Sequence, residues 1–363
     1  MALLEVKDLH VSFPTADGIV QAVRGLSFEV DAGRTVGIVG ESGSGKSVST
    51  QTIMGLTRGA RISGEALFAG QDLLQMRQKD LRAVRGARVG MIFQDPLSSL
   101  HPFYRVGWQI VEMLRAHDHS MSKQAARERA VDLLRLVGIP QPDRRVDDYP
   151  HQFSGGMRQR AMIAMAIALD PDLLIADEPT TALDVTIQAQ ILALLQDLQE
   201  RLGMAIILIT HDLGVVADMA DEVVVMYAGT AVERADRFET FGANHHPYTE
   251  GLLRSIPAYD DSRSRLVPIP GQPPSLITLP RGCKFHPRCP YAMDRCRTEE
   301  PPLMAIEGNP AHTSACWLPL DMVERERLRV EVTGEHLHDS PVTPGTAPGH
   351  EAHWARPGAD SEI

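Results

Sequence analysis

Apolar and polar residues alternate from Glu5 to Phe13 around Val6, Leu9, Val11 and Phe13, the period of a half-buried strand. Pro14-Thr15-Ala16-Asp17-Gly18 reads as a turn, and Ile19–Val30 continues as further strand. Thr35–Val39 is a short β-branched run ending in the glycine-rich stretch Gly40–Gly45, and Ser47–Leu56 reads as a helix. Across about residues 100–160 the pattern becomes mostly helical. Within it, Ala125, Ala126, Ala130, Leu133, Leu134 and Val137 recur at helical spacing over Ser120–Val137. Short apolar runs at Leu173–Ala176, Ala205–Thr210 and Glu222–Tyr227 alternate with helical stretches at Thr186–Leu202 and Leu213–Met219. Such alternation predicts an α/β domain with a largely parallel sheet. Eight prolines between Pro257 and Pro290 then predict an extended, irregular segment. From about Gly334 the composition is that of a disordered tail, rich in His, Pro, Gly and acidic residues.

Chemistry enters first at Gly40-Glu41-Ser42-Gly43-Ser44-Gly45-Lys46-Ser47, a G-x-x-x-x-G-K-S stretch between a strand and a helix. Glycines let the backbone wrap phosphates with its N–H groups inward, and the helix N-terminus adds partial positive charge. Lys46 is then the group that reaches the β- and γ-phosphates, and Ser47 is a Mg²⁺ ligand. Leu173-Leu174-Ile175-Ala176-Asp177-Glu178-Pro179 is an apolar strand running into two carboxylates. Asp177 at the sheet's edge is a second Mg²⁺ ligand, and Glu178 is placed to polarise an attacking water.

Further along lies Phe153-Ser154-Gly155-Gly156-Met157-Arg158-Gln159-Arg160, followed by the helix-like run Ala161–Leu169. Here the chain resembles the nucleotide-binding subunit of ATP-binding-cassette (ABC) transporters, whose signature is Leu-Ser-Gly-Gly-Gln. Phe153 and Met157 depart from that signature, but backbone contacts to phosphate do not need those side chains. Phe93-Gln94-Asp95-Pro96 is similar to the Q-loop, Ala182-Leu183-Asp184 to the D-loop, and Thr210-His211-Asp212 to the switch-histidine motif. The resemblance implies a P-loop ABC fold over residues 1–256: a RecA-like core, an antiparallel β subdomain and a helical subdomain at about 100–160. It implies that Ser154, Gly155, Gly156 and Met157 face the nucleotide of an opposite subunit, so that ATP is sandwiched between two cassettes. Gln94 would sense Mg²⁺ and the water, His211 would bond the γ-phosphate, and Asp184 would serve the D-loop. Phe13 is a candidate for stacking on adenine, with a core strand residue as the alternative.

Other stretches resemble the peptide and nickel importer branch of the family. They are Phe93–Pro102, Asp177–Thr186, His246-Pro247-Tyr248-Thr249, Ile269–Leu276, Gly282-Cys283 and Pro287-Arg288-Cys289-Pro290. That resemblance implies an ATPase acting as a translocase for dipeptides or oligopeptides, peripheral at the cytoplasmic face of the cell membrane. Its partners would be a second related ATPase subunit, two permeases and an extracytoplasmic binding protein. A nickel importer, or a soluble ABC ATPase of DNA repair or translation, remains an alternative.

Residues 257–333 form the expected C-terminal extension, with 334–363 as the tail. All four cysteines lie there, at Cys283, Cys289, Cys296 and Cys316. Their spacing is wider than the close pairs of structural zinc sites. Some importer ATPases with this extension hold a 4Fe-4S cluster, and the resemblance implies one here; zinc, with His286 or His312, and thiols without a metal stand as alternatives.

Composition narrows the classes further. With 36 Lys+Arg against 47 Asp+Glu and a formal charge of −11, no nucleic-acid partner is expected. The longest apolar run, Ala161–Leu169, falls well short of the roughly 18 residues of a membrane span. Met1-Ala2-Leu3-Leu4-Glu5 does not read as a secretory leader, so neither an integral membrane protein nor a secreted one is expected.

Overall fold

The computed structural model describes residues 2–181, 183–255 and 268–318. The predicted boundary at 256–257, residues 319–333 of the expected extension and the expected tail at 334–363 lie outside them.

β1 (Ala2–Thr15) and β2 (Gly18–Asp31) form a long antiparallel hairpin whose two-residue turn falls inside the predicted Pro14–Gly18 stretch. β3 (Thr35–Val39) leads through the glycine-rich loop into α1 (Lys46–Ile53). β4 (Arg61–Phe68) and β5 (Gln71–Asp72) complete a four-stranded antiparallel sheet in the order β2-β1-β4-β5. After α2 (Gln78–Val84) and β6 (Val89–Ile92) comes the helical part. It holds α3 (Pro96–Ser99), α4 (Val106–His117), α5 (Lys123–Leu136), α6 (Pro142–Arg145) and α7 (Gly155–Ala166). β7 (Leu173–Asp177), α8 (Val185–Leu202), β8 (Ala205–Thr210), α9 (Leu213–Met219) and β9 (Glu222–Tyr227) return to the predicted alternation. β10 (Thr230–Asp236), α10 (Arg237–Gly242), α11 (Pro247–Arg254), α12 (Asp294–Thr298), β11 (Met304–Ile306) and β12 (Asn309–Ser314) follow.

The main sheet runs β11-β12-β10-β9-β3-β8-β7-β6. Its five strands from β9 to β6 are parallel, and β10, β12 and β11 are antiparallel additions. The parallel strands read as continuous apolar runs because both faces are covered. Leu174, Ala176, Ile206 and Leu208 face the helical part, where Leu133, Leu134, Ile163 and Leu195 are buried with them. Their neighbours Leu173, Ile175, Ile207 and Ile209 face the antiparallel sheet and meet Leu4, Phe28 and Phe68. The period-2 geometry of a strand thus divides one run of residues between two cores.

Residues 268–290 contain no helix or strand, as the prolines predict. The segment 268–318 nevertheless joins the rest of the fold. β12 pairs with β10 at Glu233–Ser314 and Arg234–Thr313, and Phe285 is buried against Tyr227 and Tyr248. A wholly buried carboxylate sits at that join. Glu233 accepts from His312 Nε2 at 2.8 Å, from the His246 amide at 3.1 Å and from the His245 amide.

Candidate functional site

The four adjacent strands β3, β8, β7 and β6 end on one edge of the sheet, and each delivers one motif there. In open α/β sheets this carboxyl edge is where ligands bind. β3 delivers the glycine-rich loop, β8 His211, β7 Asp177 and Glu178, and β6 Gln94.

Two glycines of the loop are sterically required. Gly40 has φ 149°, and a Cβ there would lie 2.2 Å from the Met226 carbonyl oxygen; at Gly45, φ 103°, it would lie 2.3 Å from that of Ala22. Lys46 is buried and donates to the carbonyls of Gly40 at 2.6 Å and Glu41 at 3.0 Å. Burial pulls its ammonium below the ordinary value of 10.5 while Glu178, Asp177 and Glu41 oppose the shift. The Ser47 hydroxyl donates to Asp177 Oδ1 at 2.7 Å. Burial pushes Asp177 above its usual range, with that hydrogen bond opposing and the charge of Glu178 adding to the rise. A nearly buried carboxylate beside a hydroxyl is a donor set suited to Mg²⁺. Ser44 Oγ is buried with no hydrogen-bond partner among the described residues, as a phosphate-facing group would be. The loop therefore fits a nucleotide and its metal.

Beside this cradle, two predicted residues converge on a single oxygen of a third. Glu178 Oε2 accepts from Gln94 Nε2 at 3.1 Å and stands 3.5 Å from His211 Nδ1. The Thr181 hydroxyl donates to the same atom at 2.7 Å, a contact for which the sequence carries no signal. Glu178 itself has φ 47°, the left-handed region, and its amide donates to the Ile209 carbonyl at 2.8 Å. Such strain persists only where the surroundings impose it, and it clusters at working sites.

Other predicted residues lie elsewhere. Ser154 caps α7 by accepting the Met157 amide at 3.3 Å; Ser154 and Gly155 are exposed, and a Cβ on Gly155 would meet open space. Phe153 is buried in the helical core and Met157 packs against it, which accounts for apolar residues at those two positions. Asp184 caps α8 by accepting the Ile187 amide at 3.0 Å, and Ile187 lies against Gly156. Ala182 of the predicted D-loop lies outside the described residues. Phe13 is half-buried against the core of the antiparallel sheet, paired with Val20. Glu41 pairs its carboxylate with Arg288 at 2.6 and 2.9 Å.

Residues 23–181 match the family described as ABC transporter, and residues 232–296 match the family described as the oligopeptide/dipeptide transporter C-terminal region. The chain is 54% identical over 320 residues to the oligopeptide transport ATP-binding protein OppD of Bacillus subtilis (strain 168), covering 87% of this chain and 88% of that one. The chain belongs to the ABC transporter family. Among its ATP-binding proteins, the dipeptide transport ATP-binding protein DppD of Escherichia coli (strain K12) is 53% identical over 331 residues, covering 90% of this chain and 100% of that one. A dimeric ATP-binding cassette solved in a post-hydrolysis state bound to ADP and Pi superposes with TM-score 0.59 and 26% identity, covering 64% of this chain and 98% of that one.

The predicted iron–sulfur cluster in this ABC ATPase does not survive. Cys283, Cys289, Cys296 and Cys316 all border one small hole, with Phe285, Tyr291 and Leu318. That hole has a volume of about 10 Å³, at the bottom of the roughly 10–15 Å³ that a single water needs and far too small for a four-iron cluster. Among the described residues no group of three or more His, Cys, Asp or Glu is arranged to hold a metal. Burial pushes the Cys283 and Cys289 thiols up, as it does for any thiol packed among apolar groups. The cysteines act here as small apolar residues packed beside aromatic rings, and neither 4Fe-4S nor zinc is supported.

Proposed function

We propose that this chain is the ATP-hydrolysing subunit of a peptide importer, peripheral at the cytoplasmic face of the cell membrane. The observation that carries the reading is the meeting of Gln94, Glu178 and His211 beside a loop fitted to phosphates. In this reading Gly40–Ser47 cradle the phosphates, Lys46 holds the β- and γ-oxygens, and Ser47, Asp177 and Gln94 hold Mg²⁺. The metal, when bound, neutralises charge developing on the phosphates. Glu178 orients and polarises the attacking water, and its fixed backbone and the Thr181 bond keep its carboxylate in one place. His211 bonds the γ-phosphate, and Phe13 stacks on adenine.

Exposed Ser154 and Gly155, at the N-terminus of a twelve-residue helix, suit a phosphate presented by another subunit. Together with Gly156, Met157 and Asp184 they would complete the site of a second, related ATPase. No helix among the described residues is long and apolar enough to cross a membrane, so transport calls for membrane partners. We assign these to two permeases served by an extracytoplasmic binding protein. Peptide cargo follows the names of the relatives, oligopeptide and dipeptide transport proteins, and the match of residues 232–296 to a peptide-transporter region. Proteoliposomes holding the chain with its partner ATPase and permeases should take up a labelled dipeptide or oligopeptide when ATP and the binding protein are supplied. Uptake of nickel ion instead, or ATP turnover without peptide uptake, would overturn the peptide reading.

A further inference from the structure

Arg288 lies 247 residues from Glu41 in the chain, and its guanidinium grips the Glu41 carboxylate with both terminal nitrogens, at 2.6 and 2.9 Å. Its side chain is only 5% exposed, and two further donors reach the Pro270 carbonyl at 2.9 Å and the Tyr227 hydroxyl at 3.4 Å. Two-pronged charge-assisted pairs are among the strongest and most directional of protein hydrogen bonds. Removing one partner of a buried pair leaves the other charge stranded.

The other end of the pair is the second residue of the phosphate loop. Every polar group of Glu41 is committed. Its amide donates to Tyr248 Oη at 2.7 Å, and its carbonyl accepts Lys46 Nζ at 3.0 Å and the Ser44 amide at 3.2 Å. A shift of Glu41 therefore moves the lysine that meets the nucleotide. We propose that Arg288 is a positioning residue for ATP binding, its pair with Glu41 coupling the docking of segment 268–318 to the shape of the phosphate loop. This rests on Gly40–Ser47 being the ATP site. By linkage the coupling is reciprocal: ATP on the loop must tighten the segment as much as the docked segment tightens ATP.

The test uses the full chain, with equilibrium binding of a fluorescent ATP analogue and limited proteolysis of 268–318 with and without ATP. Arg288→Gln and Glu41→Gln should each weaken ATP binding about tenfold, close to 1.4 kcal/mol. The double variant should be no worse than either single one, because both remove the same pair. Arg288→Lys, which keeps the charge without the fork, should fall between and serves where Arg288→Gln fails to fold. ATP should slow cleavage of the segment in the wild type and lose that effect in Glu41→Gln. Unchanged affinity in all three single variants, or additive losses in the double, would reduce Arg288 to a structural clamp. Lys46→Ala is the control for the site itself: normal ATP binding there would refute the ATP site, whatever Arg288 does.

Discussion

Ser47 and Asp177 stand 130 residues apart in the chain, yet the Ser47 hydroxyl donates to Asp177 Oδ1 at 2.7 Å. The contact is possible because β3 and β7 flank β8 and end on the same edge, one carrying the phosphate loop and the other the carboxylates. It also separates two neighbouring acids by task. Asp177 faces the Ser47 hydroxyl, while Glu178, turned by its positive φ, faces Gln94 and His211.

From that division follows the first prediction. Glu178→Gln should bind ATP with near wild-type affinity and hydrolyse it at least about a hundredfold more slowly, the scale of a lost general base. Lys46→Ala should instead lose affinity. Nucleotide binding and phosphate release measured on both separate the two roles, and wild-type turnover in Glu178→Gln would remove Glu178 from the chemistry.

The second concerns assembly. A Cβ on Gly155 meets open space, so Gly155→Asp should fold normally. Its carboxylate would face the γ-phosphate of the neighbouring subunit, a like-charge contact that opposes closure. ATP binding by the isolated chain should persist while the ATP-dependent dimer, followed by light scattering, disappears. Equal loss of binding by the isolated chain would make the segment a local part of the fold.

The third concerns acid. Burial alone would raise Glu233, but hydrogen bonds led by that from His312 hold it below its ordinary 4.5. A depressed carboxylate adds stability above the unfolded value, and that stability is lost as pH falls through the folded value. Glu233→Gln should therefore be about 1–3 kcal/mol less stable at neutral pH. The gap should close as pH drops below 4.5, a trend that urea titrations at stepped pH will read. A gap independent of pH would show that Glu233 is not ionised in the fold.

The parts of the fold visible in the sequence are those where one physical requirement dominates. Ala205–Thr210 and Glu222–Tyr227 are covered on both faces, so their runs are apolar and coincide with β8 and β9. Asp177, Glu178 and His211 close two apolar runs that the pattern marks, whereas Gln94 follows β6, which the pattern does not mark, and is reached only through the resemblance to the Q-loop. β10 and β12 were not, because polar Glu233, His312 and Ser314 occupy their buried positions and break the alternation. The cysteine spacing misled for a related reason. A row of thiols looks the same whether it surrounds a metal or fills gaps beside Phe285 and Tyr291, and only the arrangement in space, which spacing hides, separates the two. Arg288 carries no signal of its own within its branch-specific stretch, since a partner 247 residues away leaves no local trace.

β12 also has a consequence for how the chain must be made. It covers the outer edge of β10, where the Ala315 amide donates to the Val232 carbonyl at 2.8 Å. During synthesis β10 emerges more than seventy residues before its cover, and until then its row of amides and carbonyls is an open template for strands of other chains. A chain cut short before Asn309 would keep that sticky edge permanently. Its failing would show as aggregation in the cell before any loss of ATP chemistry could be measured.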